Sequence, residues 1–319
     1  MKRISPRDAG SVLVVTLLVS MLLTTLAITF SEETGVELSL SGFFRDGNTA
    51  YEAARSGVQE VLAAMSQDKN REVDSLQEDW ARLGTASLPL EPMQEVSLTV
   101  KVTDESGKLN LNRFLNERGE IDEGKARQLR RLFRILGLQE ERAEPLLDWL
   151  DRDDIERMNG AESGHYGSLQ PAYACPNGQL QCLEQVHLVK GLGRQDLAEI
   201  KFEKDLRAFL TIYSDGKINI NTAPQEVLES LSDRMDASAA AAIIEYRKAG
   251  EFRQVNDLFN VPGVNQDVLS GTSQWLTVKS SALSIEAQGT YRDATCSVLA
   301  IAAWAKGSDR ARLLYWQVR

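Results

Sequence analysis

The fold is decided by residues 11–30, SVLVVTLLVSMLLTTLAITF, a stretch without a charged side chain. A helix of this length rises about 30 Å, which matches the thickness of the hydrocarbon core of a bilayer. Lys2, Arg3 and Arg7 precede the stretch, and Glu32 and Glu33 follow it. Because a basic flank stays in the cytoplasm, the sequence predicts one transmembrane helix with the bulk of the chain on the far side of the membrane.

A cleaved secretory signal peptide is the alternative interpretation of this stretch. Signal peptides have an apolar core of about 7–15 residues and end in a site that resembles Ala-x-Ala. The core here is longer, and no clear site of that kind follows it. Apolar residues then recur at helical spacing as far as Met65. The pattern predicts that the helix continues to about this residue, with a weak point near Gly35 or Gly42.

The rest of the chain has the composition of a globular protein. Of 319 residues, 43% are hydrophobic and 26% are charged, and the formal net charge is −10. Non-specific binding of nucleic acids depends on basic side chains that neutralise phosphates, so the acidic total argues against it. A local basic patch has to be sought separately.

The cysteines allow two interpretations. Cys175 and Cys182 lie too far apart for a zinc knuckle, and no cluster of His or Cys lies beside them. In an oxidising compartment the pair would close a short loop as a disulfide; otherwise the two residues are free thiols. Cys296 lies in a strand pattern and is expected to remain unpaired.

Hydrophobic periodicity predicts strands early and late in the chain, with helices between them. The predicted strands are 95–103, 275–279, 283–289, 294–304 and 313–319. The predicted helices are 123–136, 140–150, 183–189 and 196–209. This order is typical of an α+β protein in which a helical region interrupts a sheet.

The chain also contains an internal echo. Residues 104–112, DESGKLNLN, resemble residues 214–221, SDGKININ, and a helical hairpin pattern follows each copy. The second copy resembles the helix-hairpin-helix modules of DNA-uptake proteins, which bind phosphate through backbone N–H groups at a glycine-rich hairpin. Its first hairpin, 231–236, reads LSDRMD and has no glycine. Segment 219–268 holds eight acidic and four basic residues, so we expect no nucleic-acid binding.

The start of the chain looks like a type IV prepilin leader. Gly10 directly precedes the apolar run, so a cut between Gly10 and Ser11 would leave the whole helix on the mature protein. Most members of that superfamily carry Glu at the fifth mature position, which is Val15 here. Five further segments follow along the chain, in this order: LLDWLDRDD, NGAES, HLVKGLG, the GKININ copy and a terminal LLYWQVR. Together these features resemble the protein K family of type II secretion systems, in which the fifth-position Glu is usually absent.

The resemblance implies a pilin-like α+β fold, with a long N-terminal helix on a small antiparallel sheet interrupted by a large inserted α-helical domain. The corresponding divisions are a leader at 1–10, the helix at 11–65, a first β region at 66–112, the inserted domain at 113–270 and a second β region at 271–319. The resemblance further implies a minor pseudopilin without enzymatic activity, anchored in the inner membrane with its globular part in the periplasm.

The same resemblance implies a set of partners at the tip of a pseudopilus. They are the I-type and J-type minor pseudopilins, the major pseudopilin filament, prepilin peptidase and the inner-membrane assembly platform. Two alternatives remain open from the residues: a membrane-anchored helix-hairpin-helix protein of the DNA-uptake type, and a minor pilin of a type IV pilus.

An acidic segment is the candidate metal site. Its oxygen-bearing side chains are those of Asp148, Asp151, Asp153, Asp154, Asn159 and Glu162. Calcium takes six to eight such oxygens, although the spacing is not that of an EF-hand. A solvated acidic loop is the alternative. Members of the resembled family bind calcium in the α-domain, so calcium is the predicted cofactor.

No catalytic residue is predicted. The chain has no G-x-S-x-G, no H-E-x-x-H and no P-loop motif. His165 and His187 are its two histidines, and neither has an evident nucleophile beside it.

Overall fold

The computed structural model of the chain describes residues 6–68, 70, 72–83, 87–89, 95–116, 118–199, 202–304 and 311–319. The helices are α1 Pro6–Gln67, α2 Asp79–Leu83, α3 Glu123–Leu136, α4 Glu144–Leu150, α5 Ser163–Gly167, α6 Arg194–Glu199, α7 Gln225–Glu229 and α8 Ala237–Ala249. The strands are β1 Ser87–Pro89, β2 Val96–Asp104, β3 Leu109–Asn110, β4 Leu210–Thr211, β5 Ile218–Asn219, β6 Leu276–Thr277, β7 Ala282–Tyr291, β8 Ala294–Trp304 and β9 Ala311–Val318.

Helix α1 is continuous through Gly35 and Gly42, so neither glycine of the predicted weak point breaks it. A glycine inside a helix costs only about 1 kcal/mol relative to alanine, which is too little to interrupt a ladder of this length. Its N-terminal part, from Ser11 onward, is exposed and reaches a mean hydropathy of 2.5, so it is long and apolar enough to cross a membrane.

The C-terminal third of α1 packs on a five-stranded antiparallel sheet with the strand order β1-β2-β7-β8-β9. Small and branched apolar residues on one face of the helix meet the inward side chains of the strands, in a core formed by Ala54, Val58, Val61, Met65, Leu98, Val100, Ile285, Ala287, Val298 and Ala300. The closest approach is at Gly289 of β7. A Cβ there would overlap the carbonyl oxygen of Ala50 and lie 2.7 Å from the nitrogen of Ala54.

The inserted region lies between the end of β2 and the start of β7 and has its own hydrophobic core. That core includes Leu109 and Leu111 before the predicted boundary at 113, and Leu276 and Val278 after the predicted boundary at 270. The inserted domain therefore extends further at both ends. The two echo segments belong to the inserted domain, because β3 pairs in parallel with β4 and β5 pairs in parallel with β6.

The predicted helix over 196–209 is also corrected. Helix α6 ends at Glu199, and a separate 3₁₀ turn occupies Leu206–Ala208. The side chain of Asp205 accepts a hydrogen bond from the backbone nitrogen of Arg207 at 2.9 Å, which starts this new turn instead of continuing the helix.

The two echo copies share one architecture. Asn112 holds Leu180 by two hydrogen bonds, accepting from its nitrogen at 2.8 Å and donating to its oxygen at 2.9 Å. Asn221 holds Phe252 in the same way, at 2.8 and 3.0 Å. In the second copy only two residues separate Ala249 from Phe252, whereas in the first copy residues 151–179 separate Leu150 from Leu180. The acidic segment is therefore an insertion into the first copy.

Candidate functional site

The inserted acidic segment is anchored by Asp148, near the end of α4. This side chain is fully buried, and its Oδ2 accepts hydrogen bonds from the backbone nitrogens of Arg157 (3.2 Å) and Ala161 (2.9 Å). A Cβ at Gly160 would overlap the same carboxylate, so only glycine leaves room for it. Burial raises the pKa of Asp148 despite these hydrogen bonds. Asp148 thus organises the backbone of the segment.

Three of the six predicted side chains form a compact oxygen cluster. One carboxylate oxygen from each of Asp151, Asp153 and Glu162 lies within 4.8 Å of the others. Both oxygens of Glu162 and Oδ1 of Asp151 are buried without a hydrogen-bond partner among the described residues. Burial, reinforced by neighbouring carboxylates, raises the pKa of Glu162 to about 7 and that of Asp151 to about 6. Buried oxygens without partners are costly, and a hard cation would satisfy them. The cluster fits calcium.

The remaining predicted side chains lie outside this cluster. Asp154 is exposed, and its Oδ1 accepts a hydrogen bond from the backbone nitrogen of Ser163 at 3.2 Å. Hydrogen bonds with Ser163 lower the pKa of Asp154. Asn159 is exposed and occupies a left-handed turn with φ 67°. It serves the turn, because asparagine tolerates this backbone conformation well.

Sequence reasoning missed Asn177. Its Nδ2 donates to the backbone oxygen of Asp153 at 2.5 Å, while its Oδ1 is buried without a hydrogen-bond partner in the described part of the chain. An amide oxygen is a ligand that calcium accepts. The one sequence signal was the turn tetrapeptide Cys-Pro-Asn-Gly, which does not by itself indicate a metal.

Cys175 and Cys182 are not joined in the structure, where all three cysteines are free thiols. Their pairing in an oxidising compartment stays a prediction. Cys175 is buried against the side chain of Glu162, whereas Cys182 is half-buried and immediately precedes a 3₁₀ helix, Leu183–Leu188. Burial raises the pKa of the Cys175 thiol to about 12, which keeps the reactive thiolate scarce at neutral pH.

A second acidic group lies where α1 leads into α2. It consists of Asp68, Asp74 and Glu78, which the sequence pattern did not single out. Asp74 accepts a hydrogen bond from the nitrogen of Ser280 at 2.6 Å, and Glu78 accepts one from Nε1 of Trp80 at 2.5 Å. Burial raises the pKa of both Asp74 and Glu78 to about 7. The Asp74 hydrogen bond joins the segment after the long helix to the entry of β7, whereas the Glu78 hydrogen bond is local to the start of α2.

Hydrogen-bond donors that could bind a nucleic-acid phosphate are bonded to acceptors within the protein. The nitrogen of Gly193, at the hairpin before α6, donates to Oδ2 of Asp196 at 3.2 Å. The guanidinium of Arg247 donates to the backbone oxygens of Ile220 (2.9 Å) and Ala223 (2.8 Å). These contacts agree with the acidic balance of the second copy and argue against the DNA-uptake alternative.

The chain is similar in sequence to known proteins of one family. The family described as type II secretion system (T2SS), protein K matches residues 107–202 and again residues 218–279, which correspond to the two copies. The chain is 24% identical over 265 residues to type II secretion system protein K of Klebsiella pneumoniae, covering 70% of this chain and 79% of that protein. It is 25% identical over 303 residues to the protein K of Pectobacterium carotovorum subsp. carotovorum, covering 86% and 88%.

A solved structure has the same fold. It belongs to the GspK-GspI-GspJ complex of the type 2 secretion system of enterotoxigenic Escherichia coli. The TM-score is 0.68 at 19% identity, over 90% of this chain and 99% of that one.

A long N-terminal helix on an antiparallel sheet, with a helical domain inserted between two of its strands, defines a pilin-like α+β protein, and the predicted fold is confirmed. More specifically, the chain belongs to the protein K family of type II secretion systems.

Proposed function

We propose that this chain is a minor pseudopilin located at the tip of the pseudopilus of a type II secretion system. The position of the insertion carries the proposal. Asp46 of α1 forms an ion pair of 3.6 Å with Arg292. Arg292 lies just beyond the end of β7, and at this end of the strands Tyr291 of β7 pairs with Val96 of β2. The insertion departs from the opposite end of these strands, where Asp104 pairs with Leu283. It therefore lies away from the membrane segment and would obstruct a subunit stacked above.

Val15 supports a place at the end of the filament. In pilin-like filaments, a fifth-position carboxylate pairs with the N-terminal amine of a neighbouring subunit within an apolar core. A buried charge without its partner is expensive. A terminal subunit that lacks such a neighbour is better served by an apolar side chain, and Val15 supplies one.

The partners that we propose are the I-type and J-type minor pseudopilins, in line with the complex in which the related solved chain occurs. The surface available to these partners includes the part of α1 that follows the apolar stretch at 11–30. There, large apolar side chains are each more than half exposed: Val36, Leu38, Leu40, Phe43 and Phe44. Exposed apolar stretches of this size mark interaction sites. The major filament, prepilin peptidase and the inner-membrane platform complete the proposed set, with the globular part in the periplasm and no enzymatic role.

We further propose that calcium orders the acidic insertion. Asp151, Asp153 and Glu162 would hold the ion, and the amide oxygen of Asn177 is available close to Asp153. A calcium ion neutralises carboxylates that otherwise repel one another. The role of Asp148, Asp154 and Asn159 is then to shape the loop around the ion.

Processing at the N-terminus tests membership of the pilin class directly. Gly10 and Ser11 lie in the first turns of α1, and residues 1–5 lie outside the described part of the chain. We expect N-terminal sequencing of the membrane-extracted protein to begin at Ser11. Gly10→Val should retain the leader, whereas Gly35→Val, at a helical glycine with open space around it, should be processed normally. A mature terminus near Phe30 would identify an ordinary signal peptide and reject the proposal.

A further inference from the structure

We infer that Arg157 is a positioning residue for the calcium site, because it holds Asp151 by one oxygen and leaves the other available to the ion. The inference rests on the calcium site proposed above. Nη2 of Arg157 lies 3.5 Å from Oδ2 of Asp151. Oδ1 of the same carboxylate is buried without a hydrogen-bond partner among the described residues. One carboxylate oxygen of Asp151 lies within 4.8 Å of an oxygen of Asp153 and of Glu162.

Arg157 is itself held in place by two other carboxylates. Its Nε lies 3.2 Å from Oδ1 of Asp148, close enough for an ion pair although not aligned for a hydrogen bond. Its Nη1 lies 3.4 Å from Oε1 of Glu123, at the first residue of α3. One guanidinium thus joins α3, α4 and the start of the acidic segment. The guanidinium of arginine presents five N–H donors in a rigid planar fork, whereas lysine offers a single compact ammonium on a flexible stem.

The arrangement divides the acidic segment into two parts. Arg157 neutralises Asp148 and one side of Asp151, and its own backbone nitrogen is bound by Asp148. Asp153, Glu162 and the other side of Asp151 have no basic side chain within ion-pair distance among the described residues. The protein supplies its own cation to the first part, and only the second part requires an external one.

Two physical effects of removing Arg157 have opposite signs. By Coulomb attraction alone, loss of a positive charge beside the site would strengthen calcium binding. Loss of the hydrogen-bonding partner that orients a ligand weakens metal binding, typically by about 10–100-fold. The direction of the change in calcium affinity therefore distinguishes a positioning role of Arg157 from a simple effect of its positive charge.

The test uses the full chain in detergent micelles and calcium titration calorimetry, at a temperature where circular dichroism shows each variant to be folded. We expect Arg157→Gln to weaken calcium binding by about 10–100-fold. Arg157→Lys should fall between this variant and the wild type. The matched control is Arg152→Gln, which removes the same charge from an exposed residue that forms no ion pair with another described residue. It should leave binding unchanged or slightly tighter.

A second readout reports on coordination and not on folding. Terbium is substituted for calcium, and its luminescence lifetime counts the water molecules on the ion. Loss of the Asp151 ligand in Arg157→Gln should add about one water, and Arg152→Gln should add none. Binding by Arg157→Gln as tight as in the wild type, or an unchanged water count, would overturn the role of Arg157 and leave the calcium site standing. Absence of binding by the wild type would overturn both. If Arg157→Gln does not fold, Arg157→Lys decides, and wild-type affinity in that variant contradicts the inference.

Discussion

Replacing Gly289 with alanine is expected to force α1 away from the sheet and to lower the stability of the pilin-like part by about 3 kcal/mol or more. The added Cβ would overlap the carbonyl oxygen of Ala50 and lie 2.9 Å from the Cβ of Ala53. Most of this obstruction is helix backbone, which cannot rotate aside as a side chain can. The helix must shift as a whole, and its contacts with Leu98 and Ile285 are lost.

The matched control is Gly250→Ala. Gly250 follows α8, has no atom within 4 Å of the place that an added methyl group would occupy, and has an extended φ of −178° that any residue adopts. We expect this change to alter stability by no more than about 0.5 kcal/mol. Hydrogen exchange of the full chain in detergent, read on peptides from α1 and β7, measures both variants. Equal protection in the two variants would show that α1 does not pack against β7 at this point.

Calcium is expected to raise the melting temperature of the chelator-treated full chain by roughly 5–10 °C at about 10 mM. An extracytoplasmic site with an affinity of about 10⁻⁴ M gains roughly 2.7 kcal/mol at a hundredfold excess of ligand. A shift of about 2–4 °C accompanies each kcal/mol in a domain of this size. Magnesium should have a smaller effect, because it gives up its water shell reluctantly.

Asp151→Asn combined with Asp153→Asn should abolish the calcium-dependent shift, because two of the three clustered carboxylates are then neutral. The control is Asp79→Asn combined with Asp267→Asn, which removes the same charge from side chains that are 92% and 78% exposed. This control should retain the full shift. A melting curve of the wild type that calcium does not move would leave a solvated acidic loop as the correct interpretation.

Strong periodicity accounts for most of the fold that could be predicted. The bounds of α3 and β8 agree residue for residue with the predicted 123–136 and 294–304. In α3, Asp122 caps the start and Gly137 ends the helix with φ 86°, so local sequence marks both ends. The boundaries of the inserted domain were less predictable, because they depend on parallel pairing between β3 and β4, which lie far apart in the sequence.

The candidate site was predictable only in composition. Which acids face each other depends on how Asp148 and Arg157 fold the segment back on itself, and neither contact has a sequence signature. Asn177 reaches Asp153 from a later part of the insertion, so spacing could not connect them. The burial of Cys175 against Glu162 is likewise a tertiary contact that spacing in the sequence does not indicate.

The proposed place at the pseudopilus tip is tested most directly by locating the inserted domain on intact filaments. Pseudopili elongated by overproduction of the major pseudopilin would be labelled with gold-conjugated antibody raised against residues 105–281 and viewed by electron microscopy. The proposal predicts label at a single end of each filament, because the insertion blocks further stacking above it. Label distributed along the filament shaft would contradict it.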